Sequence, residues 1–187
     1  MQELQTRLDG VRLFVPRVFA DERGFFLETY RRTWLSEFGV DEEFIQLNHS
    51  RSSRGTVRGM HFQIGAGASK LVRCARGAIW DVVVDLRRGS PTFGEFEGFE
   101  LDDVTHHLLY VPIGFAHGFC VTSDVADVCY QQSRYYSGDV ERGFAPDDPQ
   151  VAIAWPVPAA ERVVSERDLT GPALAEIAGD LPFTYDG

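Results

Sequence analysis

Ala78-Ile79-Trp80-Asp81-Val82-Val83-Val84-Asp85-Leu86 is the stretch whose reading decides the fold. In an extended chain successive side chains alternate sides, so Trp80, Val82, Val84 and Leu86 share one face and Asp81, Val83 and Asp85 the other. The run ends at the turn residues Arg88-Gly89-Ser90-Pro91, after which strand-like segments recur at 93–101, 107–111, 115–121 and 126–133. Upstream, similar segments fall at 11–14, 25–29, 44–48, 56–63 and 71–75, with the turn Asp21-Glu22-Arg23-Gly24 between the first two. Only two short helices are predicted, over 32–38 before Gly39 and over 172–177. Many short strands with turn chemistry between them predict an all-β sandwich or barrel.

A chain of 187 residues is long enough for one well-buried core. We expect a single domain over 1–187, with the Pro- and Ala-rich tail after about 156 packed on it. Apolar and charged fractions of 44% and 25% are those of an ordinary globular protein. The net charge of −10 argues against a nucleic-acid partner, because phosphate-backbone binding needs a broad basic face. No apolar run reaches membrane-spanning length and no signal segment precedes Glu3 and Arg7, so a cytoplasmic location away from membranes is expected. Cys74, Cys120 and Cys129 form no CxxC pair and are expected to be buried free thiols.

Charge is distributed unevenly. From Phe44 to Trp80 there is no Asp or Glu, but there are Arg51, Arg54, Arg58, Lys70, Arg73 and Arg76. That segment carries +6, leaving −16 for the rest, and Lys70 is the only lysine in the chain. In its middle lies His61, a side chain able to move protons near neutral pH. A strand histidine is ordinarily a satisfied core group; a confined cationic field around it favours a site for a small anionic molecule.

The other candidates have plain alternatives. Tyr130 and Tyr136 could be core or surface aromatics, and Asp168 a solvated acid or helix cap. Gly65-x-Gly67 near Lys70 is not a phosphate loop, since GxxxxGK[ST] is absent. Pro112-x-Gly114-x-x-His117 resembles the second motif of metal-binding cupin barrels, but Phe62 and Gln63 follow His61 where the first motif needs further ligands.

Phe19-Ala20-Asp21-Glu22-Arg23-Gly24-Phe25-Phe26-Leu27-Glu28, Gln46-Leu47-Asn48-His49-Ser50 and Arg58-Gly59-Met60-His61-Phe62-Gln63 together resemble the dTDP-4-dehydrorhamnose 3,5-epimerases. So do Asp81–Leu86, Gly89–Gly94 and Gly114–Phe119, and the likeness runs from about Phe14 to Asp168. The resemblance implies a cupin-type jelly roll, a homodimer, a dTDP-sugar substrate and no metal or organic cofactor. It implies His61 as base, Tyr130 as acid on the opposite face of the sugar, and Asp168 as the carboxylate that orients His61. Nucleotide-sugar contacts are implied for Arg23, Glu28, Gln46, Asn48, Arg58, Lys70, His117, Glu141 and Arg167, with Tyr136 against the thymine. Gln131 where the family often has Lys, and Ser165-Glu166-Arg167-Asp168 where it has SxKD, are departures at the pocket edge. The competing expectations are a mono-epimerase of the same superfamily, a metal-dependent cupin dioxygenase or isomerase, and a non-catalytic sugar-binding cupin.

Overall fold

The computed structural model describes residues 1–185, and the following elements are those of the described residues. In chain order the first strands are β1 (Gln2–Leu4), β2 (Arg12–Val15), β3 (Val18–Asp21), β4 (Gly24–Leu27), β5 (Gln46–Ser53), β6 (Thr56–Gln63) and β7 (Lys70–Arg76). They continue as β8 (Ala78–Asp85), β9 (Phe96–Asp102), β10 (Leu108–Val111), β11 (Phe115–Val121), β12 (Val125–Gln132), β13 (Glu141–Gly143) and β14 (Val163–Val164). The short helices are α1 (Arg32–Glu37), α2 (Glu166–Leu169) and α3 (Leu174–Ile177).

Two antiparallel sheets face each other. One runs β1-β2-β10-β7-β12-β5; the other runs β13-β6-β11-β8-β9, with β14 added in parallel to β6. β3 and β4 form a separate hairpin. The space between the sheets is filled by Val72 and Cys74 of β7, Ile79 and Val83 of β8, Phe119 and Val121 of β11, and Leu101 of β9. Burying each large aliphatic side chain there contributes about 1.5–3 kcal/mol.

The deciding stretch, β8, is covered on both sides. Ile79 and Val83 face the opposite sheet, while Val82, Val84 and Leu86 pack against Val151, Leu174, Leu181 and Phe183 of the C-terminal segment. On the outside of the other sheet, Trp34 and Leu35 of α1 cover Phe14, Leu71 and Leu108. The molecule is therefore layered, with the β-sandwich held between α1 and the C-terminal segment.

Several boundaries differ from the sequence expectation. The strand expected from 93 begins only at Phe96, because the Asp85 carboxylate accepts hydrogen bonds from Ser90 (2.6 Å) and Thr92 (2.8 Å) and holds that segment in a turn. The strand expected over 44–48 is β5, which starts later and runs to Ser53 as the partner of β12. Cys74 and Cys120 are buried free thiols, as expected, but Cys129 is only half-buried. Among the described residues, no helix is long and apolar enough to cross a membrane.

Candidate active site

A cavity of about 520 Å³ opens between the sheets. β6 supplies Arg58 and His61 to its lining, β7 supplies Lys70, β11 supplies His117 and β12 supplies Tyr130. Glu141, Tyr136, Arg167 and Asp168 add further polar groups to the wall. Strict alternation would place Arg58 and His61 on opposite faces of β6. A register shift against β11, where His117 pairs with His61 and Phe119 with Arg58, turns both side chains inward. Glycine at position 59 makes this possible: its φ is +131°, and a Cβ there would lie 2.6 Å from the Cα of Gly118.

His61 is held by a carboxylate 107 positions later in the chain. Its Nε2 lies 2.7 Å from Asp168 Oδ1, and the second Asp168 oxygen accepts from the Gly59 N–H at 3.3 Å. Asp168 is placed by α2, whose N-cap Ser165 accepts from the Asp168 N–H at 3.2 Å. Burial would raise the Asp168 pKa, but the hydrogen bond and charge of His61, with the Gly59 and Ser165 contacts, hold it below the ordinary carboxylate value. An ionised carboxylate only accepts, so the imidazole proton sits on Nε2 and the Nδ1 lone pair is free to take another.

A second histidine lies beside the first. His117 Nε2 donates to both oxygens of Asp81, at 2.9 and 3.0 Å, and its Nδ1 is 3.5 Å from Lys70 Nζ. Burial lowers the His117 pKa, with Asp81 opposing and Lys70 assisting. Burial also brings Lys70 down to about 8, against the raising influence of Asp81 and Glu141. Asp81 was not expected in the site. Its signal in the sequence was an acid in the middle of the apolar run of β8, on the face opposite Trp80.

Tyr130 is half-buried on β12, in the sheet opposite to His61. Burial raises its pKa, with Glu141 and Tyr136 adding to that shift and Arg58 opposing it, so the phenol stays protonated. Nearer the mouth, Arg167 and Glu141 form an ion pair at 2.6 Å, and the Tyr136 hydroxyl donates to the same Glu141 oxygen at 3.1 Å. The Gln46 side chain accepts from the Tyr136 N–H at 2.8 Å and donates to Asn48 at 2.8 Å, placing both at the edge of this group. Arg58 donates to Ser52 at 3.1 Å.

Four expected contacts do not line this cavity: Gln46 and Asn48 stand beside its mouth, and Arg23 and Glu28 lie away from it. Arg23 is at the tip of the β3–β4 hairpin and pairs with Asp21 at 2.5 Å, and Glu28 pairs with Arg31 at 2.5 Å. The reason is topological, since the hairpin belongs to neither sheet. Within the acid-free segment, Arg51 binds Asp127 in bidentate fashion at 2.6 and 2.7 Å and Arg54 donates to the Thr122 carbonyl, so neither serves the cavity. Among the described residues, no set of three His, Cys, Asp or Glu side chains is arranged to hold a metal ion.

The family model for dTDP-4-dehydrorhamnose 3,5-epimerase matches residues 5–176. The chain belongs to this epimerase family. A dTDP-4-dehydrorhamnose 3,5-epimerase of Neisseria gonorrhoeae is 44% identical over 176 residues; the match covers 94% of this chain but 53% of that longer protein. A dTDP-4-dehydrorhamnose 3-epimerase of Streptomyces niveus is 45% identical over 182 residues, covering 95% of this chain and 86% of that protein. A Legionella pneumophila 3,5-epimerase, solved in complex with dTDP-4-keto-L-rhamnose, superposes with a TM-score of 0.95 at 36% identity, covering 100% and 99% of the two chains. The epimerase family and its cupin-type β-sandwich are thus those implied by the sequence motifs, and the chain is a nucleotide-sugar epimerase.

Proposed function

We propose that this epimerase inverts C3 and C5 of dTDP-4-keto-6-deoxy-D-glucose, toward dTDP-L-rhamnose. The observation that carries this is the His61–Asp168 pair and Tyr130 on opposing walls of one cavity that also holds Lys70. C3 and C5 flank the C4 carbonyl, so loss of either proton gives an enolate. His61 Nδ1 takes the proton, and the electron pair of the C–H bond moves to the carbonyl oxygen. Lys70 and Arg58 stabilise the oxyanion. Tyr130 returns a proton to the other face, which inverts the centre, and solvent then resets both groups. Proton transfers of this kind contribute about 10²–10⁴-fold each. Each step moves only a proton, so the route calls for no metal or organic cofactor.

On this reading Tyr136 lies against the thymine, and His117, Gln46, Asn48, Glu141 and Arg167 border the nucleotide sugar. Arg23 and Glu28 contact the nucleotide from a second copy, in a homodimer. Exposed Phe25 and Phe26 on the same hairpin support that arrangement. Mixing Arg23→Ala and His61→Ala chains should then restore activity that each lacks alone; no recovery in the mixture removes the shared site. Inversion at C3 only is the second reading, favoured by the Streptomyces niveus 3-epimerase at 45% identity. Turnover of the 4-keto nucleotide sugar in D2O, followed by NMR, separates the two. Deuterium at C3 and C5 is expected; deuterium at C3 alone selects the second reading, and absence of exchange at both carbons refutes the epimerase assignment.

A further inference from the structure

We infer that Asp81 is a positioning residue: acting through His117, it fixes the direction in which the Lys70 ammonium points into the sugar cavity. This rests on the proposed role of Lys70 at the developing oxyanion. An ammonium group can only donate, so His117 Nδ1, 3.5 Å from Lys70 Nζ, must present its lone pair. The ring proton is then on Nε2, where the Asp81 oxygens at 2.9 and 3.0 Å accept it. Carboxylate, imidazole and ammonium thus form one hydrogen-bonded line from β8 through β11 to β7. It crosses from one sheet to the other, since β7 belongs to the sheet facing β8 and β11.

The local packing does not by itself call for an acid at position 81. Asp81 is fully buried, and its same-face neighbours Ile79 and Val83 are apolar. Burying a carboxylate there costs stability that a valine would not, because its hydration is lost. What the carboxylate supplies is a fixed imidazole tautomer, as in other carboxylate-oriented histidines. Replacing it with an amide donor turns the tautomer over, and His117 would then direct an N–H at the ammonium. The titratable groups sharing the cavity with Lys70 are Arg58 and His61 of β6, His117 of β11, Tyr130 of β12, Tyr136, Glu141 of β13, and Arg167 and Asp168 of α2. Of the acids, Asp81 and Glu141 raise the Lys70 pKa against burial.

Because Lys70 is the only lysine, lysine labelled with ¹³C at Cε gives a single side-chain resonance whose titration reads this group directly. Asp81→Asn is expected to lower the Lys70 pKa by about 1 unit and kcat by about 10- to 100-fold, with KM little changed. In a Lys70→Met background the same Asp81→Asn change should cost no further activity, because the two residues act as a unit. An unchanged Lys70 titration, or an equal loss of kcat in both backgrounds, overturns the inference. Full activity of Lys70→Met alone would refute the role of Lys70 rather than that of Asp81. If Asp81→Asn does not fold, ¹⁵N imidazole shifts of the wild type decide: His117 protonated on Nε2 supports the arrangement, and protonation on Nδ1 overturns it.

Discussion

Replacing Asp168 with Asn keeps the size of the side chain and removes its charge, so it isolates what the carboxylate does for His61. In the reaction His61 becomes an imidazolium, and the carboxylate holds that charge at a contact of 2.7 Å. With charge centres roughly 4 Å apart and an effective dielectric constant of about 20, the attraction is about 4 kcal/mol. Asp168 is buried, but the His61 side chain retains 26% of its exposure, and solvent screening lowers the useful part to about 2–4 kcal/mol. Lost from the transition state, that is about 30- to 1,000-fold in kcat. The amide adds a second effect: the oxygen that accepts from the Gly59 N–H is placed so that an NH₂ group there would oppose it. Asn would therefore turn its NH₂ toward His61 and draw the imidazole proton to Nδ1, blocking the base. The assay is steady-state turnover of the 4-keto sugar, with a thermal melt to show that the fold persists. A folded Asp168→Asn protein with kcat within about threefold of wild type would refute the argument, since even the screened 2 kcal/mol is about 30-fold.

Tyr130→Phe should reduce inversion by about 10²–10⁴-fold while His61 still exchanges the substrate proton with solvent, seen as deuterium washing in without inversion. Equal loss of exchange and inversion would contradict the assignment of Tyr130 as the acid. Gly143→Ala puts a Cβ 2.5 Å from the Met60 carbonyl and 3.2 Å from His61 Cδ2. The displaced ring should cost up to about 100-fold in kcat, and an unchanged rate would mean that β13 yields instead. Stability should fall in acid. Asp168 and Asp127 both have folded pKa values below the unfolded value of 3.8, Asp127 at about 2 through its hydrogen bond to Arg51. Both contributions are present above pH 4 and fade as the pH falls below the unfolded value, that of Asp127 being lost as the pH falls through about 2, because the unfolded chain then binds more protons. Thermal melts across that range measure it, and a flat profile would show that neither contact matters to stability.

The sandwich was legible because short apolar-rich strands recur between glycine-bearing turns: β6 and β11 have the residue boundaries that the sequence implies. Alternation also sorted the faces of β8 correctly, but it could not show that both are covered, since the covering residues lie some 70 to 100 positions later in the chain. The short elements β13, β14 and α2 left no periodic signal, having between two and four residues each, and the pairing of β13 and β14 with β6 is tertiary. His61 and Lys70 stood out through the missing acids around them. The bulge that turns Arg58 to the same side as His61 did not, because it depends on a close approach of two strands at Gly59 and Gly118. Asp168 reached the candidate list through the motif likeness alone, and its burial against His61 is a property of the folded chain.

The distance along the chain between His61 and Asp168 has a bearing on synthesis. A ribosome releases β6, with its histidine, while the carboxylate that orients it is still more than a hundred residues from being made. The late segment that brings Asp168 also lays Leu174, Leu181 and Phe183 over β8. Acquiring an oriented base and covering the outer face of the second sheet therefore both wait for this late segment, and a chain that stops short of Asp168 lacks the carboxylate together with Leu174, Leu181 and Phe183.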